Sequence, residues 1–289
     1  MRIGVLMMMM LAWPTLAAVR QYGAGLSDSQ WKLDTATRLE CRVSHAIPRF
    51  GDAHFVSQAG KITNVAFTLD MRVAATRKSN ADLLSVPPRW RPGEMADSLG
   101  AMTLYRQFNG SLQDKVVWQM LTELEKGWQP TFFYSDYLNS RDQVAVALSS
   151  VKFRPVYDQF LGCVSQLLPF AFEDIATSVL TYELQSTELT LESKRKLAMI
   201  TEYLQEDKSV DLLLVDAYAD SYGGRWMNQQ LSEQRAATIA DRLKQAGVEE
   251  SRILAQGHGE KRHIAPNYTV LDRAKNRRAV VRLSREPSF

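Results

Sequence analysis

Hydrophobic and polar positions alternate through the first half of the chain. Between Trp31 and Phe153 several short runs have apolar residues at every second position, the period of strands with one buried face. Two runs, 64–73 and 142–153, show the pattern best, with apolar positions at Val65, Phe67, Leu69, Met71, Val73, Val144, Val146 and Leu148. The pattern predicts a β-rich first domain, either a small barrel or a sandwich.

One helix and one loop interrupt these strands. Residues 116–127 read "VVWQMLTELEKG", which predicts a helix that Gly127 ends. Residues 87–94 read "PPRWRPGE", and their prolines and glycine predict a loop. Trp90 and Arg91 in this loop are of types enriched at interfaces. The loop is therefore either a partner contact or a proline-fixed turn around a buried tryptophan.

The second half has a different periodicity, in which strand-like runs alternate with helical ones. Apolar residues at helical spacing predict helices over 191–207 and 228–247. Strand-like runs occupy 177–190 (with a turn), 210–218, 251–257 and 276–283, and the run 210–218 is apolar enough for a strand buried on both faces. The order is β-α-β-α-β-β. Right-handed crossovers would put both helices on one sheet, so the whole chain is predicted to be α+β.

The N-terminus has the features of a secretory signal. Arg2 precedes an apolar core, Pro14 breaks the helix, and small residues follow at Ala17 and Ala18. The apolar run is short for a transmembrane helix, although an uncleaved anchor is the alternative. With 289 residues, we expect a signal peptide (1–18), a β-rich domain (19–168) and an α/β domain (169–289), exported and not embedded in a membrane.

The chain has two cysteines, Cys41 and Cys163. In an exported protein an even count favours a disulfide over two buried thiols. A bond that closes so long a loop would stabilise the fold by about 4–5 kcal/mol in the chain-entropy model.

Composition argues against two classes of function. The net charge of +3 is too small to indicate a nucleic-acid partner, and the basic C-terminal strand has no interleaved aromatic residues. The 4 histidines show no metal-ligand spacing, and no nucleophile elbow is present. We therefore expect neither an enzyme nor a metal or cofactor site.

Candidate binding chemistry lies in 218–236. Asp220 follows a predicted strand, and Asn228, Leu231 and Arg235 form one stripe of the next helix. Asp220 could accept from an ammonium while Arg235 holds a carboxylate, which would make a pocket for a zwitterion. The alternative is an ordinary ion pair between Asp220 and Arg235.

Several linked motifs resemble the OmpA-like peptidoglycan-binding family. They read "AYADSYGG", "NQQLSEQRA", "GHGE" and "RAKNRRAVV", within 177–283. The resemblance implies that Asp220 and Arg235 clasp the diaminopimelate of the cell-wall stem peptide, so that replacing either by Ala would abolish or strongly weaken wall binding without unfolding the domain. It also implies that the pocket is completed by Asn228, Leu231, Ala219, Ser221 and Arg278. Ala219 stands where the family usually has Thr, which removes one hydroxyl.

The first half resembles the MotY family, ring proteins of sodium-driven polar flagellar motors. The similarity rests on "LECRVSHAIPRFGDAHF", "PPRWRPGE", "ELEKGWQPTFFY" and "RDQVAVALSSVKF". It implies a periplasmic protein whose first domain associates with the flagellar basal body and MotX, and so helps to recruit PomA/PomB stator units. The alternative is a general periplasmic peptidoglycan-binding envelope protein without a motor role.

Overall fold

The computed structural model divides the chain into two compact units. It describes residues 18–73, 75–88, 91, 93–106, 108–137, 141–183 and 186–285. The first unit comprises residues up to 36, 42–57 and 64–162, and the second comprises 37–41, 58–63 and 163 onward. Most of the expected signal peptide (1–17) and Trp90 lie outside the described residues. The domain limits given above stay predictions.

Two open sheets form the first unit. Its elements are β1 (Val19–Tyr22), β2 (Trp31–Ala36), β3 (Glu40–Ile47), β4 (Gly51–Gln58), β5 (Ala66–Met71), β6 (Ser79–Val86), β7 (Asp97–Leu104), β8 (Gly110–Gln113), α1 (Lys115–Glu125), β9 (Gln129–Ser135), β10 (Gln143–Ala147) and α2 (Phe153–Val164). The strand orders are β1-β10-β9-β6-β7 and β2-β3-β4-β5-β8. Phe67 of one sheet stacks on Phe132 of the other, with ring centroids 5.4 Å apart. The sandwich prediction is thus confirmed, and the barrel alternative is wrong.

The predicted strands and helix of this unit are present, with differences at their ends. Val65, Phe67 and Leu69 are buried, but Val73 is 80% exposed because β5 ends at Met71. Helix α1 is confirmed, and Gly127 follows it with a φ of 90° that other residues adopt at a cost. Helix α2 was not predicted, because the strand pattern was followed only to Phe153 and no element was assigned between that residue and residue 177.

The second unit is a two-layer α/β sandwich. Its elements are α3 (Phe172–Ile175), β11 (Thr177–Thr181), α4 (Leu191–Glu206), β12 (Val210–Tyr218), α5 (Arg225–Gln245), a 3-10 turn (Glu250–Arg252), β13 (Ile253–Gly257), α6 (Val270–Asn276) and β14 (Arg278–Arg285). The sheet order is β11-β14-β12-β13, in which only the β12–β13 pair is parallel. The predicted β-α-β-α-β-β order is confirmed, and α6 is an unpredicted helix before the last strand.

Both long helices pack on one face of this sheet. Leu213 and Val215 of β12 belong to a single hydrophobic cluster with Ile200 of α4 and Ile239 of α5. On the opposite face Leu214 is only half-buried. The expectation that this strand is buried on both faces therefore holds for one face alone. Among the described residues, no helix combines the length and apolar character needed to cross a membrane.

Cys41 and Cys163 form the predicted disulfide. Their Cα atoms are 6.0 Å apart, within the range that a disulfide allows, and 122 positions separate them in the sequence. The contact pattern places both cysteines in the second unit.

Candidate functional site

Five of the predicted site residues line one cavity of about 740 Å³ in the second unit. They are Ala219, Asp220, Asn228, Leu231 and Arg235. The first two follow the carboxyl end of β12, and the other three lie on successive turns of α5. The helical spacing read from the sequence is therefore what brings these side chains to a common cavity.

Two glycines of the "GHGE" segment let the chain after β13 approach α5. A Cβ on Gly257 would lie 2.3 Å from the Glu233 backbone nitrogen, which is too close for any other residue. The Gly259 N–H donates to Ser232 Oγ at 2.8 Å, and a Cβ on Gly259 would meet the Gln229 side chain. This close packing fixes the first half of α5, which carries the cavity residues.

Asp220 is buried and paired with an arginine that the sequence reading did not select. Arg277 Nη1 donates to Asp220 Oδ2 at 2.9 Å, and both residues are less than a tenth exposed. The other carboxylate oxygen accepts from the Tyr222 N–H at 2.9 Å. Asp220 thus has Arg277, and not Arg235, as its ion-pair partner.

Arg235 is fully buried and is held by backbone carbonyls. Its Nε and Nη2 both donate to the Ser186 carbonyl, at 3.2 and 2.6 Å, and Nη1 donates to the Tyr218 carbonyl at 3.4 Å. The guanidinium lies over the Tyr182 ring, 4.3 Å from its centroid. Burial lowers the pKa of Arg235, the charge of Arg277 lowers it further, and Tyr182 and Asp220 oppose the shift. Arg235 therefore supports the turn at Ser186 as well as the cavity wall.

Asn228 organises the cavity edge. Its side-chain amide donates to the carbonyls of Asp220 and Tyr222, at 3.2 and 3.3 Å, and to Glu260 Oε1 at 2.8 Å. These bonds connect α5 to the loop after β12 and to the loop after β13. They hold the Asp220 segment in place.

Arg277 lines the cavity, and its buried Nε–H makes no hydrogen bond to the described residues, although Nη1 is bonded to Asp220. The alternation of core-facing residues along β14 could have identified Arg277. Ala279, Val281 and Leu283 face the core, and Arg277 continues this every-second-residue pattern toward the N-terminus. Arg277 lies in the bend between α6 and β14, and of the two adjacent arginines it is the one that lines the cavity.

Arg278, the arginine chosen from the sequence, is not among the cavity-lining residues described. It lies over the Tyr218 ring at 4.1 Å, and its Nη2 donates to the Arg262 carbonyl at 2.9 Å. Burial lowers its pKa, an effect that Tyr218 opposes. Ser221 is exposed, its N–H donates to Asn267 Oδ1 at 3.2 Å, and it too is absent from that lining.

Arg273 also lines the cavity and was missed because α6 was missed. The sequence contains a signal for this helix. Thr269 accepts from the Asp272 N–H and donates to its carboxylate, an arrangement in which a threonine and an acidic residue three positions later begin a helix. The spacing was visible, but no helix was predicted between the strand-like runs 251–257 and 276–283.

Comparison with known proteins assigns both halves of the chain. The family described as "MotY N-terminal domain" matches residues 22–169, and the OmpA family matches residues 181–277. The chain is 42% identical over 282 residues to "Sodium-type flagellar protein MotY" of Vibrio parahaemolyticus, covering 98% of this chain and 96% of that protein. It is also 42% identical over 73 residues to outer membrane porin F of Pseudomonas aeruginosa, covering 25% of this chain and 21% of the porin.

A solved structure matches the second half of the chain. The C-terminal domain of Helicobacter pylori MotB is 23% identical, with a TM-score of 0.34, and the match covers 38% of this chain and 85% of that domain. The full-length similarity and the two family matches carry the assignment. The chain belongs to the MotY family of flagellar proteins and has an OmpA-family domain in its second half.

Proposed function

We propose that the cavity of the second unit binds the diaminopimelate of the peptidoglycan stem peptide. The observation that carries this proposal is the buried Nε of Arg277, which has no acceptor among the described residues and lies beside Asp220 in the same cavity. A buried donor without a partner is costly, by about 1–3 kcal/mol, and a ligand carboxylate would satisfy it.

A ligand that fits this cavity needs an ammonium group and a carboxylate group on the same carbon. Asp220 offers carboxylate lone pairs to an ammonium, and Arg277 offers its Nε to a carboxylate. Arg235 adds a second positive charge to the wall. The free amino acid end of a diaminopimelate residue has this pairing of ammonium and carboxylate, which most residues of a peptide lack.

The test is co-sedimentation of the mature protein with purified diaminopimelate-type peptidoglycan. We expect the wild type to pellet and Asp220→Asn, which keeps the shape of the side chain and removes its charge, to stay largely in the supernatant. Asp241→Asn is the matched control, because it makes the same change at an exposed position of α5, away from the cavity lining. Equal pelleting of wild type and Asp220→Asn would exclude the assigned site.

We further propose that the protein is periplasmic and anchors the flagellar motor ring to the wall. In this proposal the first unit binds the basal body and MotX, and so holds PomA/PomB stator units indirectly. It is supported by a MotY-type first half together with an OmpA-type second half in one chain. A stator must be fixed to a rigid structure in order to resist the torque that it generates, and the cell wall is such a structure.

The alternative is a general peptidoglycan-binding envelope protein. A strain that lacks the protein separates the two when it is complemented with wild type or Asp220→Asn. The motor proposal predicts lost swimming in the deletion strain and weakened swimming with Asp220→Asn. Normal swimming of the deletion strain, together with wall binding in vitro, would leave only the envelope role.

A further inference from the structure

The cavity carries more positive charge than a zwitterion needs. Three guanidinium groups and one carboxylate line it, from Arg235, Arg273, Arg277 and Asp220, a formal excess of two positive charges. Glu260, which accepts from Asn228 at the cavity edge, reduces the excess to one. Since a zwitterion has no net charge, the excess favours a ligand with an additional anionic group.

Arg273 is placed to meet that group. Its Nη1 donates to the neutral carbonyls of Asn267 and Tyr268, at 3.0 and 3.4 Å, so its charge has no carboxylate partner in these bonds. The guanidinium lies 5.8 Å from the centroid of the Tyr222 ring, which orients it at low cost. It is half-buried, so a contact with an anion is stronger there than at an open surface.

Apolar side chains adjoin Arg273 at the cavity mouth. Tyr222, Met227 and Val270 line the same cavity and are 66%, 63% and 55% exposed. A mouth with an apolar side and one guanidinium suits a short aliphatic chain that ends in a carboxylate. In a diaminopimelate-type stem the residue before diaminopimelate is a γ-linked glutamate, which has two methylene groups and a free α-carboxylate.

We propose that Arg273, Tyr222, Met227 and Val270 form a second subsite that binds this γ-glutamyl residue, with Arg273 on its α-carboxylate. The inference rests on the diaminopimelate site proposed above and deepens it. The domain would then bind a stem peptide with a free, ionised glutamyl α-carboxylate more tightly than one in which that carboxylate is amidated. The two subsites would read two consecutive residues of one peptide.

The experiment is calorimetric titration of the full mature chain with three ligands. They are free meso-diaminopimelate, the tripeptide L-Ala-γ-D-Glu-meso-diaminopimelate, and the same tripeptide with the glutamyl α-carboxylate amidated. We expect the wild type to bind the acidic tripeptide about tenfold more tightly than its amide, in line with a charge-assisted hydrogen bond. Arg273→Gln should abolish that difference and leave free diaminopimelate within twofold of wild type.

Two further variants control the result. Lys275→Gln makes the same change of charge on the same helix at an exposed position, and should leave all three affinities within twofold. Arg273→Lys keeps the charge and should restore part of the preference for the acidic tripeptide, which separates a charge effect from a disturbed loop.

Equal binding of the acidic and the amidated tripeptide by wild type would overturn the subsite. So would an equal loss for free diaminopimelate and tripeptide in Arg273→Gln. Failure of the wild type to bind any of the three ligands would refute the diaminopimelate site itself.

Discussion

Replacement of Arg235 by Ala tests whether this arginine is a structural residue as well as a ligand contact. The sequence reading expected Arg235→Ala to lose wall binding with the fold intact. Arg235 is 0% exposed, however, and it donates three hydrogen bonds to the carbonyls of Ser186 and Tyr218. Truncation would leave a cavity against the Tyr182 ring and would remove the partner of the Ser186 carbonyl.

The expected cost is about 3–5 kcal/mol of the free energy of unfolding of the second unit. The estimate combines the usual loss for breaking a buried charged network with the cavity left by a large side chain. Because 1.4 kcal/mol corresponds to a factor of ten, even the lower figure means a more than 100-fold rise in the population of the unfolded unit. Wall binding measured on this variant alone would therefore mix lost contacts with lost folding.

Hydrogen–deuterium exchange read by mass spectrometry separates these effects. Slow amides of β11 and β12 should exchange more than 100-fold faster in Arg235→Ala, and those of β4, in the first unit, provide the internal reference. Arg242→Ala, an exposed position of the same helix, should change stability by less than about 0.5 kcal/mol. Unchanged protection of β11 and β12 in Arg235→Ala, with wall binding lost, would refute the structural role and make Arg235 a ligand residue alone.

Two further predictions concern pH and packing. Burial lowers the pKa of His45, against the opposing influence of Gln30 and Asp52, so the folded state binds fewer protons than the unfolded state. Stability should therefore be fully present above about pH 6.5, the ordinary histidine value, and fall as pH drops below it. Urea denaturation from pH 5 to 8 should show this slope in wild type and a flatter one in His45→Gln, and equal slopes would contradict it. Gly257→Ala should destabilise the second unit by about 1–3 kcal/mol, because its Cβ would strike the α5 backbone. Gly162→Ala, whose Cβ meets nothing within 4 Å, should be neutral or slightly stabilising in thermal denaturation, and an equal loss in both variants would count against the packing argument.

Sequence periodicity was sufficient for β5, α4 and α5, in each of which one face meets the core, although it did not reveal α2. The alternation around Phe67 and the helical spacing around Ile200 and Ile239 predicted strands and helices that the structure contains. It did not distinguish a barrel from a sandwich, because closure of a sheet depends on edge pairing, which leaves no mark on the alternation of one strand. The short helix α6 was missed because its capping signal is local and lies in a segment rich in loop residues.

The candidate site shows a similar limit. Spacing brought Asp220, Asn228 and Arg235 together correctly, since all three positions follow from one strand end and one helix. The partner of Asp220 comes from 57 residues further along the chain, and only the phase of β14 relative to the core distinguishes Arg277 from Arg278. His258 shows the same difficulty, because its hydrogen bond to Asp216, at 2.7 Å, joins the residue after β13 to β12, 42 positions earlier in the chain. Contacts between distant segments need the register of the sheet, which the sequence alone does not give.

Preorganisation of the charged groups connects the fold to the proposed anchoring role. Asp220, Arg235 and Arg277 come from three different elements, each is less than a tenth exposed, and each already has a protein partner that fixes its position. A ligand that meets fixed charges loses less free energy to the ordering of side chains than one that must recruit mobile residues. The free-energy cost of burying these charges is then incurred when the domain folds, and it does not reduce the affinity for the ligand. For a protein proposed to hold a motor ring against the wall, this arrangement favours slow release, because most differences in affinity between related sites appear in the dissociation rate.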